Sequence, residues 1–246
     1  MKRLPAAVIG GEGPALIERR ALLISLDLTP PADALAGLAS RLGEQRSREL
    51  QHSFIRAATH RALQARPLLA PVGLACPAEA LDEIRMLVDD RLPLWAATGG
   101  GEGERLAAAL ERAFRGGATA VVTLRPGFPD LPLSFVLSAA RLLEKYDLVI
   151  GPTGGGGFFL LGLRVPVPDL FSGLDRDADR ALHTVLRQAG KAGLSQAWVP
   201  SWQGVRDTPD LLRLHDRLQH ASGEPSLAAA VGEAVAGITP GREHGA

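Results

Sequence analysis

The stretch YDLVIGPTGGGGFFLLGL, residues 146–163, sets two apolar runs on either side of four consecutive glycines. Asp147–Ile150 and Phe158–Leu163 read as strands. The second follows the turn too closely for a crossover helix, which predicts an antiparallel pair. Four glycines give the turn the backbone freedom to approach a ligand closely. The turn carries no charge of its own, so it has the shape of a substrate-cradling loop without the chemistry.

Outward from this stretch, apolar runs alternate with amphipathic ones. Ala21–Leu26 (ALLISL) is continuously apolar, as a strand buried on both faces should be. Further strands are expected at Pro67–Leu74, Leu92–Ala97, Ala120–Leu124 and Gln196–Pro200, with Pro71 weakening the first. Leu35, Leu38, Leu42, Leu50, Phe54 and Leu63 keep helical spacing through 32–64. Helices are also expected at Ala78–Asp89, Glu102–Arg115, Leu133–Lys145, Ala178–Ala192 and Pro209–Gln219. The Gly116-Gly117 pair stops the second of these five as a glycine C-cap would.

Strand–helix alternation predicts a single α/β domain over 21–220: a three-layer α/β/α sandwich around a mostly parallel sheet. Ligands in such sheets bind beyond the carboxyl ends of the strands. That rule brings Asp27–Pro31, Thr98–Gly103, Arg125–Asp130 and the glycine turn to one rim. Residues 1–20 read as an N-terminal extension and 221–246 as a C-terminal tail. The tail holds one apolar helix, Ser226–Ala236, expected to be exposed and able to pack on a second subunit.

Charge and composition remove several classes of function. Twenty-seven basic residues balance 27 acidic ones, so no global field favours nucleic acid or an anionic membrane surface. Cys76 is the single cysteine, which excludes an internal disulfide and a thiolate cluster. No apolar run reaches the roughly 18 residues of a bilayer span. The opening MKRLPAAVIGGEGP is too short and too broken by Gly and Pro for a secretion signal, and a cytoplasmic, soluble protein is expected.

Familiar motifs fail one by one. The glycine run lacks the Gly-Lys-Ser/Thr ending of a phosphate-binding P-loop. Phe158-Phe159-Leu160-Leu161 cannot open the helix of a dinucleotide fingerprint, and Gly10-Gly11-Glu12-Gly13 leaves little room for one before Pro14. His52/His60 and His215/His220 lack carboxylates at metal-ligand spacing and fit solvated helix faces. No Gly-x-Ser-x-Gly elbow is present. Asp175, Asp177 and Asp179 alternate in a loop without an EF-hand's downstream Gly and Glu; acids at a helix entry suit them better.

One resemblance draws several landmarks together. Gly101-Glu-Gly-Glu-Arg-Leu106 precedes a helix, and Ala120–Leu124 leads to Phe128-Pro129-Asp130-Leu131. Gly151-Pro152, Gly156-Gly157-Phe158-Phe159-Leu160-Leu161-Gly162-Leu163 and Asp207-Thr208-Pro209 follow in order. From Ala21 to about Leu214 the chain resembles the small bacterial GT-A-like transferases labelled "transferase 1, radical-SAM/selenodomain-associated". That group is related in fold to nucleotide-diphospho-sugar transferases and to molybdopterin and phospholactate nucleotidyltransferases. The resemblance implies a nucleotide or nucleotide-sugar donor and Mg²⁺ or Mn²⁺.

The departures from the group are selective. Its phosphate-facing lysine falls at Asp27, and its Lys-Thr-Arg at Leu35, Ala36 and Gly37. Its metal-binding Asp after the central strand falls at Gly127. Its Glu-Asp-Gly-Gly-Tyr falls at Gly154-Gly155-Gly156-Gly157-Phe158, a Trp-Ser-Thr segment around Asp175–Asp177, and its Asp-Val-Asp-Thr-Pro at Val205–Pro209. Fold-building residues persist while charges that would do chemistry are gone. Without hard oxygen ligands the divalent cation loses its anchor, and without the cations the phosphates lose theirs. No metal ligand is therefore assigned.

Asp130 and Asp207 remain as candidate catalytic carboxylates, with Asp130 equally suited to N-cap the next helix. Arg125, Gly127, Gly154, Gly155, Gly156, Gly157 and Arg206 are candidate ligand-binding positions. Arg125 could instead simply pair with Asp130 or face solvent. A silent GT-A-like protein that binds a partner or regulates is the first reading. An active transferase with altered, metal-independent chemistry on a nucleotide or nucleotide-sugar is the alternative, and a small-molecule binding module is the third.

Overall fold

A computed structural model describes residues 20–26, 36–66, 68–90, 92–174, 180–220 and 225–238. Asp27, Leu35, Gly10–Gly13 and the Asp175–Asp179 run lie outside the described residues. Seven strands form one sheet in the order β3-β2-β1-β4-β6-β5-β7. They are β1 (Arg20–Ser25), β2 (Ala70–Cys76), β3 (Leu94–Ala96), β4 (Ala120–Leu124), β5 (Leu148–Pro152), β6 (Phe158–Leu163) and β7 (Gln196–Trp198). β6 runs antiparallel to both neighbours, and all other pairs are parallel. The expected antiparallel excursion is therefore an interior strand. Its six residues FFLLGL are all buried, and only a strand covered on both faces accommodates such a run.

Alternation within β1 sorts the layers. Leu22 and Ile24 join Ile55, Ala58 and Ala62 of α2 (Glu44–Gln64) and Val136, Ala139 and Ala140 of α5 (Leu133–Leu142). Ala21 and Leu23 point the other way, toward α4 (Glu102–Arg115) and α6 (Ala181–Lys191). The second proline-weakened strand begins later than expected, at Ala70, because the last turn of α2 continues through Leu69 N–H···O=C Ala65. Pro71 is tolerated inside the sheet where the β1–β2 register shifts between Leu22 and Leu23.

Beyond α2 lies a further layer formed by α1 (Ala36–Leu42), α7 (Thr208–His220) and α8 (Pro225–Ile238). Leu50, Phe54 and Ala57 of α2 meet Leu211, Leu214 and Leu218 of α7 and Leu227, Val231 and Ala234 of α8. The tail helix is thus not the exposed appendage expected from its sequence. It packs its apolar stripe against this chain's own α2 and α7.

The far margin is fastened by a charged clamp. Asp147, just before β5, accepts from Ser195 Oγ at 2.6 Å, Arg164 Nη2 at 2.5 Å and Ser195 N–H at 3.1 Å. Those hydrogen bonds, led by the Ser195 hydroxyl, hold its carboxyl down to about 2. A carboxyl lowered on folding stabilises above its unfolded pKa and loses that contribution as pH falls through the folded one. The melting temperature should therefore fall between about pH 4 and pH 2. Asp147→Asn should flatten that limb and cost about 1 kcal/mol at neutral pH, read from melts across pH.

Candidate active-site rim

The strand order reverses at β1, whose neighbours are β2 on one side and β4 on the other. The crevice beyond the carboxyl ends of β1 and β4 is where such sheets bind ligands. Four described segments reach that rim: the loop after β3, the loop after β4, the glycine turn after β5, and the strap after β7. Cys76, at the end of β2, is fully buried, and burial with Glu79 nearby pushes its thiol up to about 11. A thiol held neutral in this way is a weak nucleophile.

The strap explains the geometry of the whole rim. Val199 N–H donates to Ile150 O at 2.9 Å and Trp202 N–H to Pro152 O at 3.3 Å. Val205 N–H then reaches Gly127 O at 3.1 Å, so the strap crosses from β5 to the loop after β4. Gly204 permits the crossing, since a Cβ there would stand 2.9 Å from Gly127 O and 2.6 Å from the Phe128 ring. Around the crossing, Trp202 meets Phe135 edge-on at 5.6 Å, and Phe128 meets Phe159 at 5.5 Å.

Both candidate catalytic carboxylates are engaged. Asp130 accepts from Arg217 Nε at 2.6 Å and from Trp202 Nε1 at 3.1 Å. Its side chain is 10% exposed. It does not cap α5, whose N-cap is Pro132 without a side-chain bond. Asp207 does cap a helix: its Oδ1 accepts from the Asp210 N–H at 2.8 Å, satisfying an otherwise free amide in the first turn of α7.

Arg125 pairs with Glu102 at the start of α4, not with Asp130, and lies over the Phe158 ring at 5.5 Å. Its guanidinium is about one-third exposed. Arg206 is more exposed and lies over the glycine turn, where a Cβ at Gly155 would run into its guanidinium. Gln203 Oε1 would stand 3.6 Å from a Cβ at Gly154. Of the four glycines only Gly156 has a positive φ, +80°, so the tight bend belongs to it. A Cβ at Gly127 meets nothing within 4 Å.

The structure thus brings Gly127, Gly154, Gly155 and Arg206 together around the strap and leaves Asp130 behind it. Sequence reasoning missed Glu102, Trp202, Gln203, Asp210 and Arg217. Asp210 is 2% exposed and accepts from Arg213 Nη2 at 2.6 Å, Arg206 N–H at 3.1 Å and Gln203 Nε2 at 3.2 Å. Burial alone would raise its pKa, but these donors outweigh it and hold the carboxyl below its ordinary range. The Asp207-x-x-Asp210 spacing at a helix start was the available signal. Among the described residues no group of three His, Cys, Asp or Glu side chains is placed to hold a metal. No helix among them is long and apolar enough to cross a membrane.

Known proteins share this architecture. A structure from Desulfovibrio desulfuricans G20, called a "putative nucleotide-diphospho-sugar transferase", superposes with a TM-score of 0.79 at 24% identity, covering 90% of this chain and 97% of that one. The fold is that of the GT-A-like transferases. The 4-diphosphocytidyl-2C-methyl-D-erythritol synthase of Anaerococcus prevotii DSM 20548 follows at TM-score 0.50 and 11% identity, covering 84% of this chain and 100% of that one. A CMP:2-keto-3-deoxy-manno-octonic acid synthetase in complex with CTP gives TM-score 0.50 and 12% identity, covering 82% and 98%. Residues 59–176 match the family described as "Uncharacterized protein conserved in bacteria (DUF2064)". No curated protein matches the chain.

Proposed function

We propose that this is a GT-A-like protein in which metal-dependent transfer has been given up and the rim serves binding or regulation. The observation that carries this reading is the engagement of Asp130 by Arg217 and Trp202. A carboxylate already charge-compensated by Arg217, held by the Trp202 indole and only 10% exposed is poorly placed to take a divalent ion from the rim. Asp207 is spent on its helix cap, and Gly127, Gly154 and Gly155 offer no oxygen from a side chain.

The ligand class suggested by the fold relatives is a nucleotide or nucleotide-sugar; one of those relatives holds CTP. On this rim its phosphates would meet Arg125 and Arg206 in place of a metal. Arg125 must first release Glu102, which sets a threshold on the charge of any incoming anion. Assays with nucleoside triphosphates and nucleotide-sugars plus Mn²⁺ should yield no hydrolysis or transfer product. Metal-stimulated turnover abolished by Asp130→Asn would return the protein to the transferases and overturn this reading.

A further inference from the structure

Arg125 is the rim's cation on the α4 side, and the chain supplies its counter-ion. Its N–H donates to Phe159 O at 3.2 Å, which fixes the backbone at the end of β4. Its guanidinium lies over the buried Phe158 ring and pairs with Glu102, the first residue of α4. The segment that delivers Glu102 is itself tied down. Ala97 N–H donates to Cys76 O at 2.7 Å, and Gly100 N–H to Glu104 Oε2 at 2.7 Å. Both side chains of the pair are about one-third exposed, so solvent and ligand reach them.

In the ligand-free chain a carboxylate therefore already stands where an incoming anion would. Binding at Arg125 is an exchange of one anion for another, and every ligand meets the same penalty. Release costs Glu102 little. The helix it opens has 14 residues and an N-cap, Gly101, that makes no side-chain bond. An acid in that first turn is favoured by the helix dipole whether or not it is paired. A single carboxylate from solvent gains nothing by the exchange, because the chain holds the resident one at high effective concentration. A phosphoryl chain brings more charge and a bidentate partner for the guanidinium. Resting on the rim reading above, in which Arg125 takes phosphates, we propose that Glu102 is a built-in competitor for this site. It is an autoinhibitory carboxylate that yields to polyphosphate groups and excludes singly charged anions.

Titration calorimetry of the full chain with inorganic tripolyphosphate, without added metal, tests this. Wild type should bind saturably, and Glu102→Gln about three- to tenfold more tightly. Glu102→Asp keeps the charge at the helix start but is one methylene shorter, and it should also bind more tightly than wild type. Arg125→Ala should weaken binding by about tenfold or more, and adding Glu102→Gln to it should change nothing further. The paired side chains are partly exposed, so ligand-free melts should show every variant folded. Equal affinity of wild type and Glu102→Gln, with binding still lost in Arg125→Ala, would overturn the competitor and leave the rim reading intact. A gain from Glu102→Gln that persists in Arg125→Ala would also overturn it, since removing any nearby negative charge would then suffice. No saturable binding by wild type or Glu102→Gln would overturn both, because Arg125 would then take no phosphate.

Discussion

Asp130→Ala should lower the stability of the folded chain by about 2–3 kcal/mol, which in a protein of this size is a drop of about 5–10 °C in melting temperature. The side chain is nearly buried, and its removal strands two donors at once, Arg217 Nε and Trp202 Nε1. Arg217 already has one buried nitrogen, Nη2, without a partner, so the loss leaves a guanidinium poorly satisfied on two sides. The sign of the effect separates structure from catalysis. Replacing a catalytic carboxylate commonly leaves stability unchanged or raises it, because active-site charges are held at a cost. A double-mutant cycle of Asp130→Ala with Arg217→Met should show a coupling of about 1–3 kcal/mol. Independent, additive effects would mean that the lock between the β4 loop and α7 contributes nothing.

Asp210→Ala should be of similar size, about 2–3 kcal/mol, and should loosen the strap rather than the sheet. The carboxylate is more deeply buried than Asp130 and gathers Gln203, the Arg206 amide and Arg213 onto the start of α7. Its folded pKa is depressed, so its contribution is complete above the ordinary carboxylate range and is lost as pH falls through the folded value. Wild type and Asp210→Asn should therefore converge in stability at acid pH and diverge toward neutrality. Amide exchange should show faster opening of residues 202–206 in Asp210→Asn, with the sheet protected as before. Uniform loss of protection across the sheet would contradict this local role.

The sheet was readable wherever burial made the sequence uniformly apolar. Ala120–Leu124 and Phe158–Leu163 were expected and found at the same residues, because central strands admit little but aliphatic and aromatic side chains. The antiparallel direction of β6 followed from a turn too short to reverse any other way. The packing of α8 was not readable, since PSLAAAVGEAVAGI is apolar on nearly every side and gives no sign of which face is covered. The fates of Asp130 and Arg125 were hidden for a different reason. Trp202 and Arg217 are 72 and 87 residues from Asp130 in sequence, and no local pattern announces a partner at that distance. Glu102 stood among the landmarks before α4, yet only the fold could place it on Arg125.

Space does not impose glycine at two of the rim positions. Gly127 faces open volume, and a side chain at Gly155 would displace only the end of the flexible Arg206. The architecture could hold carboxylates there; this chain does not supply them. Arg206 and Gln203 instead reach over the glycine turn and cover it with a cation and an amide.

On the proposed reading, a nucleotide needs no metal to bind this rim. Melting temperatures with a panel of nucleoside triphosphates and nucleotide-sugars, each with and without Mn²⁺, test it directly. Ligand at about one hundred times its Kd stabilises by about 2.7 kcal/mol, a rise of roughly 5–10 °C in a chain of this length. Any such rise should be the same with and without Mn²⁺ and should be lost in Arg125→Ala. A rise that appears only when Mn²⁺ is present would contradict that reading.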